Sequence, residues 1–217
     1  MHLTQFEINP ARRGAQKLLG SPQAMHAAVL AGFPSGDADH GRILWRVDPG
    51  PHHTYLYVSS PRRPDLTHLV EQAGWPTTST WSTGDLGPLL DSLAIGQHWG
   101  FRLAANPTRS TRVGDRERSQ RVGCVTAQQQ LDWFLARTTK WGIKIPTTDG
   151  NPDVVVNGRG VRSFRRQEGR VTVATAVFDG QLEIVDPDLL RAAMVDGIGP
   201  AKAYGCGLLT LAHVDRH

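Results

Sequence analysis

The stretch Gln97-His98-Trp99-Gly100-Phe101-Arg102-Leu103-Ala104-Ala105-Asn106-Pro107 lies near the middle of a 217-residue chain and decides its fold. It predicts a strand that ends before a proline, and beyond it the order of predicted elements starts over. Each half roughly follows the order strand, helix, strand, strand, helix, strand, which is that of a ferredoxin-like domain. The sequence therefore predicts an α+β protein of two tandem ferredoxin-like βαββαβ domains, over residues 1–95 and 96–217.

The first half contains most elements of this order. Alternating apolar and polar residues predict its opening strand, and Ser21 followed by Pro22 predicts the start of a helix. The Asp-Pro-Gly-Pro sequence at 48–51 is a strong turn signal and predicts a hairpin. The predicted elements are a strand over 2–8, a helix over 22–33, strands over 42–47 and 54–59, and a helix over 64–73. Residues 86–93 receive no assignment.

The second half repeats the order after the central strand. Thr126, with Gln129 three residues later, has the spacing of a helix capping box. Asp186 followed by Pro187 marks the start of another helix. The predicted elements are a helix over 126–141, strands over 154–156 and 170–178, a helix over 187–195 and a strand over 207–212.

The composition excludes several classes of protein. Hydrophobic residues make up 39% of the chain and charged residues 20%, which is typical of a folded domain and not of a disordered chain. No apolar stretch approaches the roughly 20 residues of a membrane span. The first ten residues lack the pattern of a signal peptide, so we expect a cytoplasmic protein. The two cysteines cannot supply the four thiolates of an ordinary iron–sulfur cluster.

The positive charge is concentrated in two arginine segments. Residues 102–121 contain six arginines against two acidic residues, and residues 159–170 contain five against one. The arginines are Arg102, Arg109, Arg112, Arg116, Arg118 and Arg121, then Arg159, Arg162, Arg165, Arg166 and Arg170. The planar guanidinium suits phosphate oxygens and guanine edges, so nucleic acid is the expected partner. Two solvated loops are the alternative interpretation.

A glycine-rich string near the C-terminus is the most distinctive motif. It reads Gly197-Ile198-Gly199-Pro200-Ala201-Lys202-Ala203-Tyr204-Gly205-Cys206-Gly207-Leu208-Leu209. Glycines allow a backbone to approach a phosphodiester closely and to direct amide groups at it. The string follows a helix and lacks the spacing of both the Walker loop and the dinucleotide fingerprint. A purely structural connection between helix and strand is the alternative.

This string, together with Phe101-Arg102-Leu103-Ala104-Ala105-Asn106-Pro107, resembles the CasE family of CRISPR repeat-processing endoribonucleases, which belongs to the RAMP superfamily. The resemblance covers the whole chain and implies tandem ferredoxin-like (RRM-like) domains. It also implies metal-independent cleavage of precursor CRISPR RNA at the 3′ base of the repeat stem-loop. Attack by the upstream 2′-hydroxyl would leave a 2′,3′-cyclic phosphate and a 5′-hydroxyl. The expected partners are the repeat RNA and the other subunits of type I-E Cascade.

The resemblance implies a catalytic histidine on the first helix, where His26 is the histidine of the predicted helix. Histidine can serve either proton role near neutral pH, and the sequence does not decide between general base and general acid. Family members commonly carry a tyrosine one turn earlier, and here Gln23 takes that position. Glutamine cannot exchange a proton near neutral pH. Lys17, Lys202 and Tyr204 are candidates for the missing role.

The remaining site residues follow from the same resemblance. Lys202 is expected to hold the RNA backbone or the developing charge, and a solvated lysine is the alternative. Residues 159–170 are expected to touch the RNA stem, and residues 102–121 to follow its phosphates. The predicted RNA-binding set is Arg102, Arg109, Arg112, Arg116, Arg118, Arg121, Arg159, Arg162, Arg165, Arg166, Gly197, Gly199, Lys202, Gly205 and Gly207.

Two other functions remain open at this point. A non-catalytic RNA-binding subunit of the same superfamily would explain Gln23. A small-molecule enzyme on the same fold is the third class, since fold alone does not decide function. The histidines at 52, 53, 213 and 217 have no acidic or thiol neighbour at metal-ligand spacing, so we expect neither a metal nor a cofactor.

Overall fold

A computed structural model describes residues 1–33, 41–75, 81–111, 120–166 and 169–214. In its first half, three helices pack against one antiparallel sheet. The elements are β1 (His2–Ile8), α1 (Arg13–Gly20), α2 (Pro22–Leu30), β2 (Leu44–Pro49), β3 (Thr54–Ser60), α3 (Thr67–Ala73) and β4 (Trp81–Asp85). The strands lie in the order β2-β3-β1-β4. Phe6, Met25, Leu56 and Leu69 are among the buried residues of the core between sheet and helices.

The second half has a larger sheet and two short excursions from it. The elements are α4 (Gly87–Ser92), β5 (His98–Ala105), β6 (Thr108–Thr111), β7 (Gln120–Gly123), α5 (Ala127–Leu135), β8 (Ile143–Lys144), β9 (Thr147–Thr148), β10 (Asn151–Pro152), β11 (Val154–Arg166), β12 (Gly169–Ile184), α6 (Pro187–Asp196) and β13 (Leu209–Ala212). The main strands lie in the order β11-β12-β5-β13, with β8 added beside β12. A separate core contains Phe101, Phe134, Phe178 and Leu190.

The two halves share one topology. When the four main strands of each half are numbered along the chain, both sheets have the order 2-3-1-4. The neighbouring main strands of both sheets pair in antiparallel orientation. This is the topology of tandem ferredoxin-like domains, which confirms the predicted fold class. The boundary at residue 95 stays a prediction, and the side chain of Leu93 already packs in the second core.

Several predicted elements were wrong in extent. The connection expected between β1 and the next helix contains α1, so His26 lies on the second helix and not on the first. The helix predicted over 126–141 ends at Leu135 and is followed by a 3₁₀ turn, Thr138–Trp141. Its end is stabilised by Thr138, whose hydroxyl donates to the carbonyl oxygen of Leu135 at 3.1 Å. Residues 159–166, which lie between the predicted strands 154–156 and 170–178, extend strand β11.

One buried arginine joins the two sheets. Arg46 on β2 donates to both carboxylate oxygens of Asp48, at 2.7 and 2.9 Å. It also donates across the boundary between the halves to the carbonyl oxygens of Arg102 and Leu208, both at 3.0 Å, and to Thr210 Oγ1 at 3.0 Å. The Arg46 side chain is only 3% exposed. The contact therefore fixes how the halves meet, and the candidate site lies along this boundary.

Within the described ranges, no helix is long and apolar enough to cross a bilayer.

Candidate active site

A cleft of about 520 Å³ lies where α2 of the first half meets the glycine-rich string of the second half. We call it the histidine cleft. Its lining residues are Gln23, His26, Arg42, Gly199, Pro200, Ala201, Lys202, Ala203 and Tyr204. The structure thus brings together the predicted catalytic pair, His26 and Lys202, from opposite halves of the chain.

Local sequence explains why α2 places His26 at the cleft. Ser21 caps the helix, since its hydroxyl accepts from the amide of Ala24 at 3.2 Å, and Pro22 occupies the first turn. Met25 and Val29 are buried in the first core and hold the helix by its apolar side. The residue after Met25 therefore lies at the edge of the buried face, where the second half approaches.

The environment of His26 favours a neutral imidazole. The ring is partly buried, and burial lowers its pKa below the ordinary 6.5 because the charged form loses hydration. Its Nδ1 is buried and has no hydrogen-bond partner among the described residues. A neutral imidazole can accept a proton, which is the first requirement for a base in the cleft.

Gln23 lies one helical turn before His26 and also lines the cleft. This is the position where the resembled family commonly carries a tyrosine. Of the three candidates for the missing proton role, Lys202 and Tyr204 line the histidine cleft. Lys17 lies on α1 and is not part of the lining. The structure therefore reduces the candidates to two side chains, both from the second half.

The glycine-rich string packs on strand β2. Gly205 has a φ of +82°, and a Cβ there would lie 2.7 Å from the ring of Trp45. Gly197 has a φ of +77°, and its Cβ would lie 2.6 Å from a methyl group of Leu44. Side chains at these two positions would force the halves apart. The space beside both glycines is filled by protein, while their predicted contact with RNA stays a prediction.

Gly199 and Gly207 have different surroundings. Gly199 lines the histidine cleft, and its Cβ would meet the edge of Trp133 at 3.4 Å. The amide of Gly207 donates to the carbonyl oxygen of Ala104 at 2.7 Å, and its own carbonyl accepts from Ile198 at 2.9 Å. These bonds anchor both ends of the string to the second half.

Lys202 reaches the cleft along this anchored string. Its stem packs between glycines, with Cε 3.2 Å from where a Gly197 Cβ would lie and Cγ 3.2 Å from that of Gly207. Burial is the main cause that lowers the Lys202 pKa below 10.5. The positive charge of Arg42 lowers it further, and Asp196 opposes the shift. The cleft thus contains two cations, Arg42 and Lys202, in a partly buried setting.

Sequence reasoning missed Arg42. It stands outside both arginine segments, at the start of the chain that leads into β2, and it is exposed. No spacing pattern connects it to His26 or Lys202. Only the docking of β2 against the glycine-rich string brings Arg42 to the cleft.

The predicted RNA-binding arginines differ in their surroundings. Arg109 and Arg121 line a second cleft. Arg102 is held by protein: it donates to Asp179 at 2.6 and 3.0 Å and lies 3.5 Å from Asp48. Bonding to Asp179 is the main cause that raises the Arg102 pKa. These contacts give Arg102 a part in joining the halves, and its contact with RNA stays a prediction.

The second arginine segment lies on the long β11–β12 hairpin. The Arg159 guanidinium is hydrogen-bonded to the protein: it donates to Gln130 Oε1 at 3.1 Å and to the carbonyl oxygen of Val125 at 2.6 Å. Arg162 is exposed. The side chains of Arg165 and Arg166 lie outside the described part of the structure, as do the whole residues Arg112, Arg116 and Arg118. Their roles stay predictions.

The other candidate residues lie away from the cleft. His53 Nδ1 is 2.8 Å from Glu7 Oε1, and His213 packs on Trp99 with 4.6 Å between ring centroids. Cys124 and Cys206 are free and buried, and burial raises the pKa of Cys206 to about 12. In the described ranges, no three His, Cys, Asp or Glu side chains gather as a metal site would require.

Known proteins match this chain along nearly its whole length. A sequence model of the family described as CRISPR associated protein matches residues 1–213. The CRISPR-associated endoribonuclease Cse3 of Thermus thermophilus is 30% identical over 222 residues, covering 98% of this chain and 100% of the relative. The Cascade subunit CasE of Escherichia coli is 26% identical over 182 residues, covering 78% and 88%. A solved structure of Cse3 bound to a 19-nucleotide RNA has a TM-score of 0.83 at 28% identity, covering 98% and 100%.

Proposed function

The chain belongs to the family of CRISPR-associated proteins, and on this premise we propose that it is an endoribonuclease that matures CRISPR RNA. Its substrate is the repeat stem-loop of the precursor, cut at the 3′ base of the stem. It stays bound to the product hairpin as a subunit of Cascade, in the cytoplasm. The similarity to an endoribonuclease with a solved RNA complex supports this assignment.

The observation that carries the proposal is the histidine cleft itself. A partly buried histidine on α2 faces a wall with Arg42 and Lys202. RNA cleavage by its own 2′-hydroxyl needs a proton acceptor, a proton donor and positive charge around the phosphorane. The cleft places all three kinds of group within one volume of about 520 Å³.

We assign His26 the role of general base. The lowered pKa keeps the imidazole neutral near pH 7, so it can take the proton from the 2′-hydroxyl. The bond from O2′ to phosphorus then forms to give the phosphorane, and the bond from phosphorus to O5′ breaks afterwards. Arg42 and Lys202 stabilise the negative charge of the phosphorane between these steps. A proton delivered to O5′ completes the 5′-hydroxyl product, opposite the 2′,3′-cyclic phosphate.

The proton donor is one of two groups in the cleft. Lys202 has a lowered pKa, which weakens its hold on its proton. Tyr204, whose hydroxyl can donate a proton, lines the same cleft. Either group would take the role of the tyrosine that members of the CasE family commonly carry where this chain has Gln23.

The test is a cleavage assay on the cognate repeat RNA in excess EDTA. The wild-type protein is expected to cut, and the ends of its products should be a 2′,3′-cyclic phosphate and a 5′-hydroxyl. His26→Ala and a 2′-deoxy substitution upstream of the cut should each abolish cleavage. His53→Ala is the matched control, because His53 is exposed and lies outside the cleft, and it should cut like wild type.

A second candidate function is that of a non-catalytic RNA-binding subunit, which Gln23 favours. Tight binding of the hairpin by the wild-type protein without any cutting would support this alternative. Gln23→Tyr would then be expected to restore cleavage, since a tyrosine hydroxyl can donate a proton where an amide cannot.

A further inference from the structure

A second cleft, of about 460 Å³, opens directly beside the histidine cleft. The two volumes share Gly199 and Pro200 as a common wall. The edge of Trp133 touches the same wall, 3.4 Å from where a Gly199 Cβ would lie. A chain molecule that leaves the histidine cleft past Pro200 therefore enters the second cleft without crossing open surface.

Among the described residues, those that line the second cleft include three arginines and no carboxylate. Arg109 and Arg121 are exposed, and Arg137 is partly buried. Among the described residues, none forms an ion pair with any of these three guanidinium groups. Asp132 lines a smaller neighbouring hollow of about 270 Å³ together with Arg109 and Arg137, and its Oδ1 accepts from Gln128 Nε2 at 2.8 Å. The charge of the cleft is thus available for an anion.

Planar groups line the same cleft. The guanidinium of Arg137 lies over the ring of Trp133, 4.9 Å from its centroid, and donates to the Trp133 carbonyl oxygen at 2.8 Å. The Trp133 and Trp141 rings are 6.0 Å apart and tilted by 51°. Trp141 is only half-buried, so part of its surface faces the cleft.

Arginine and tryptophan in one groove match the chemistry of single-stranded RNA. Guanidinium groups bind the phosphates, and unpaired bases stack on indole rings and on arginine planes. A paired stem offers its phosphates but keeps its base faces inside the helix. The aromatic part of the cleft therefore distinguishes an unpaired strand from the stem.

We propose that this arginine–tryptophan cleft binds the unpaired nucleotides that flank the repeat hairpin next to the cleaved phosphate. The proposal rests on the proposed function, because it takes the cut to lie at the base of the stem. Both flanking strands leave the hairpin there, one on its 5′ side and one on its 3′ side beyond the cut. Phosphates of the flank bind Arg109 and Arg121, and a base packs against Trp141 and Arg137. Arg109 and Arg121 thereby contact the flank and not the stem phosphates.

The test compares three RNAs that carry a 2′-deoxy substitution at the cut and therefore cannot be cleaved. One is the bare hairpin, which ends a single nucleotide beyond the cut so that the scissile bond is present. One adds further unpaired nucleotides on the 5′ side, and one adds them on the 3′ side. Dissociation constants are measured by fluorescence anisotropy over a range of salt concentrations. The proteins are wild type, the double variant Arg109→Ala/Arg121→Ala, and the control Arg13→Ala/Arg63→Ala, which removes two exposed arginines outside both clefts.

We expect the correct flank to tighten binding by wild type about tenfold, within the range for stacking of one base. The plot of log binding constant against log salt concentration should become steeper by about 1.4, which corresponds to two phosphate contacts with a single strand. The double variant should lose both gains, and the control should keep them. The flanked RNA that binds more tightly identifies whether the cleft holds the 5′ or the 3′ strand. The fluorescence of 2-aminopurine placed in that flank should be quenched on binding.

Two results would overturn the proposal. One is a wild-type affinity that neither flank changes. The other is a double variant that weakens the bare hairpin as much as the flanked one, since its arginines would then contact the stem. Failure of the bare hairpin to bind at all would instead refute the proposed function and this inference with it. A cleavage assay on the bare hairpin without the 2′-deoxy substitution thus distinguishes failure of the proposed function from failure of this inference alone.

Discussion

The two halves of the molecule share one strand order but differ in how far their strands extend. The main strands of the first sheet are five to seven residues long. In the second sheet, β11 and β12 have 13 and 16 residues, and their hairpin carries the second arginine segment. The first half places one helix, with His26, at the histidine cleft. The same topology thus supports the proposed catalytic side chain in one half and forms a basic extended surface in the other.

Neither half contains the histidine cleft alone. Gln23, His26 and Arg42 come from the first half, while Lys202 and Tyr204 come from the second. The contact of Arg46 with the second sheet sets the distance between these walls. If both halves contribute to catalysis, a substitution at their boundary should reduce the cleavage rate more than an equally destabilising substitution inside one half.

The largest expected effect comes from Arg46→Met. The substitution removes both close hydrogen bonds to the partly buried Asp48, which keeps only Arg102 at 3.5 Å, and it removes the bonds that Arg46 donates to the carbonyl oxygens of Arg102 and Leu208. Breaking a buried pair costs about 3–5 kcal/mol of the free energy of unfolding, to be measured by chemical denaturation. Cleavage should fall even at temperatures where the variant remains folded.

Arg191→Met is the matched control for the boundary. Arg191 also donates to two carbonyl oxygens, those of Leu90 and Leu93, but both belong to the second core. Its side chain is 32% exposed, so its loss should cost less. Equal losses of stability and of cleavage rate in the two variants would contradict the role given to the boundary.

The next largest effect is expected from Gly205→Ala. A Cβ at φ +82° is strained, and it would meet the Trp45 ring at 2.7 Å. Strain and overpacking together should cost about 2–5 kcal/mol in the free energy of unfolding. Gly20→Ala is the comparison inside the first half: it ends α1 with nothing within 4 Å, and it should be neutral or stabilising by up to about 1 kcal/mol. Thermal denaturation of both variants checks the difference.

The contribution of the second half to the chemistry can be measured with Lys202→Ala. Loss of one group that stabilises the transition state should reduce the single-turnover cleavage rate about a hundredfold. Lys202→Arg should recover part of the loss if the charge matters most, and Tyr204→Phe tests the alternative proton donor. Lys144→Ala is the control, since Lys144 is 67% exposed and pairs with Glu183 at 3.6 Å. An unchanged rate for Lys202→Ala would remove it from the mechanism.

The smallest effect concerns the pH profile. Because burial lowers the His26 pKa, the neutral base persists below the ordinary value of 6.5. The acid limb of the single-turnover rate should therefore have its midpoint below pH 6.5. The unfolded chain binds a proton more readily than the folded one, so this residue should destabilise the fold as pH falls from 6.5 towards its folded pKa. A midpoint above 6.5 would contradict the burial argument.

The fold was largely predictable because its signals are local. The alternation in β1, the Ser21 cap and the Asp186-Pro187 helix start all act through neighbouring residues. Helix α1 was missed because it has eight residues, two of them glycine, and buries only Ala15 and Leu18. Strand β4 was missed because Trp-Ser-Thr-Gly-Asp shows no clear alternation, and its state depends on pairing with β1.

The candidate site was predictable only in part. His26 and Lys202 came from the resemblance, which matches residue types along the chain but gives no distances between them. Arg42 came from the docking of β2, and Arg102 proved to be paired with Asp179, a partner 77 residues away. Contacts between distant segments leave no periodic signal in one sequence. Spacing could therefore reveal neither the position of Arg42 in the cleft nor the pairing of Arg102 with Asp179.

The state of the two thiols has a practical consequence. The chain has two cysteines, and both are buried, with the Cys206 pKa at about 12. The thiolate is the group that attacks a maleimide, and burial raises the pKa of both thiols, so neither cysteine competes for a maleimide dye near neutral pH. A cysteine introduced at Ser110, which is exposed at the arginine–tryptophan cleft, would be labelled alone. A fluorophore there would convert the arrival of an RNA strand into an optical signal, with both native cysteines left in place.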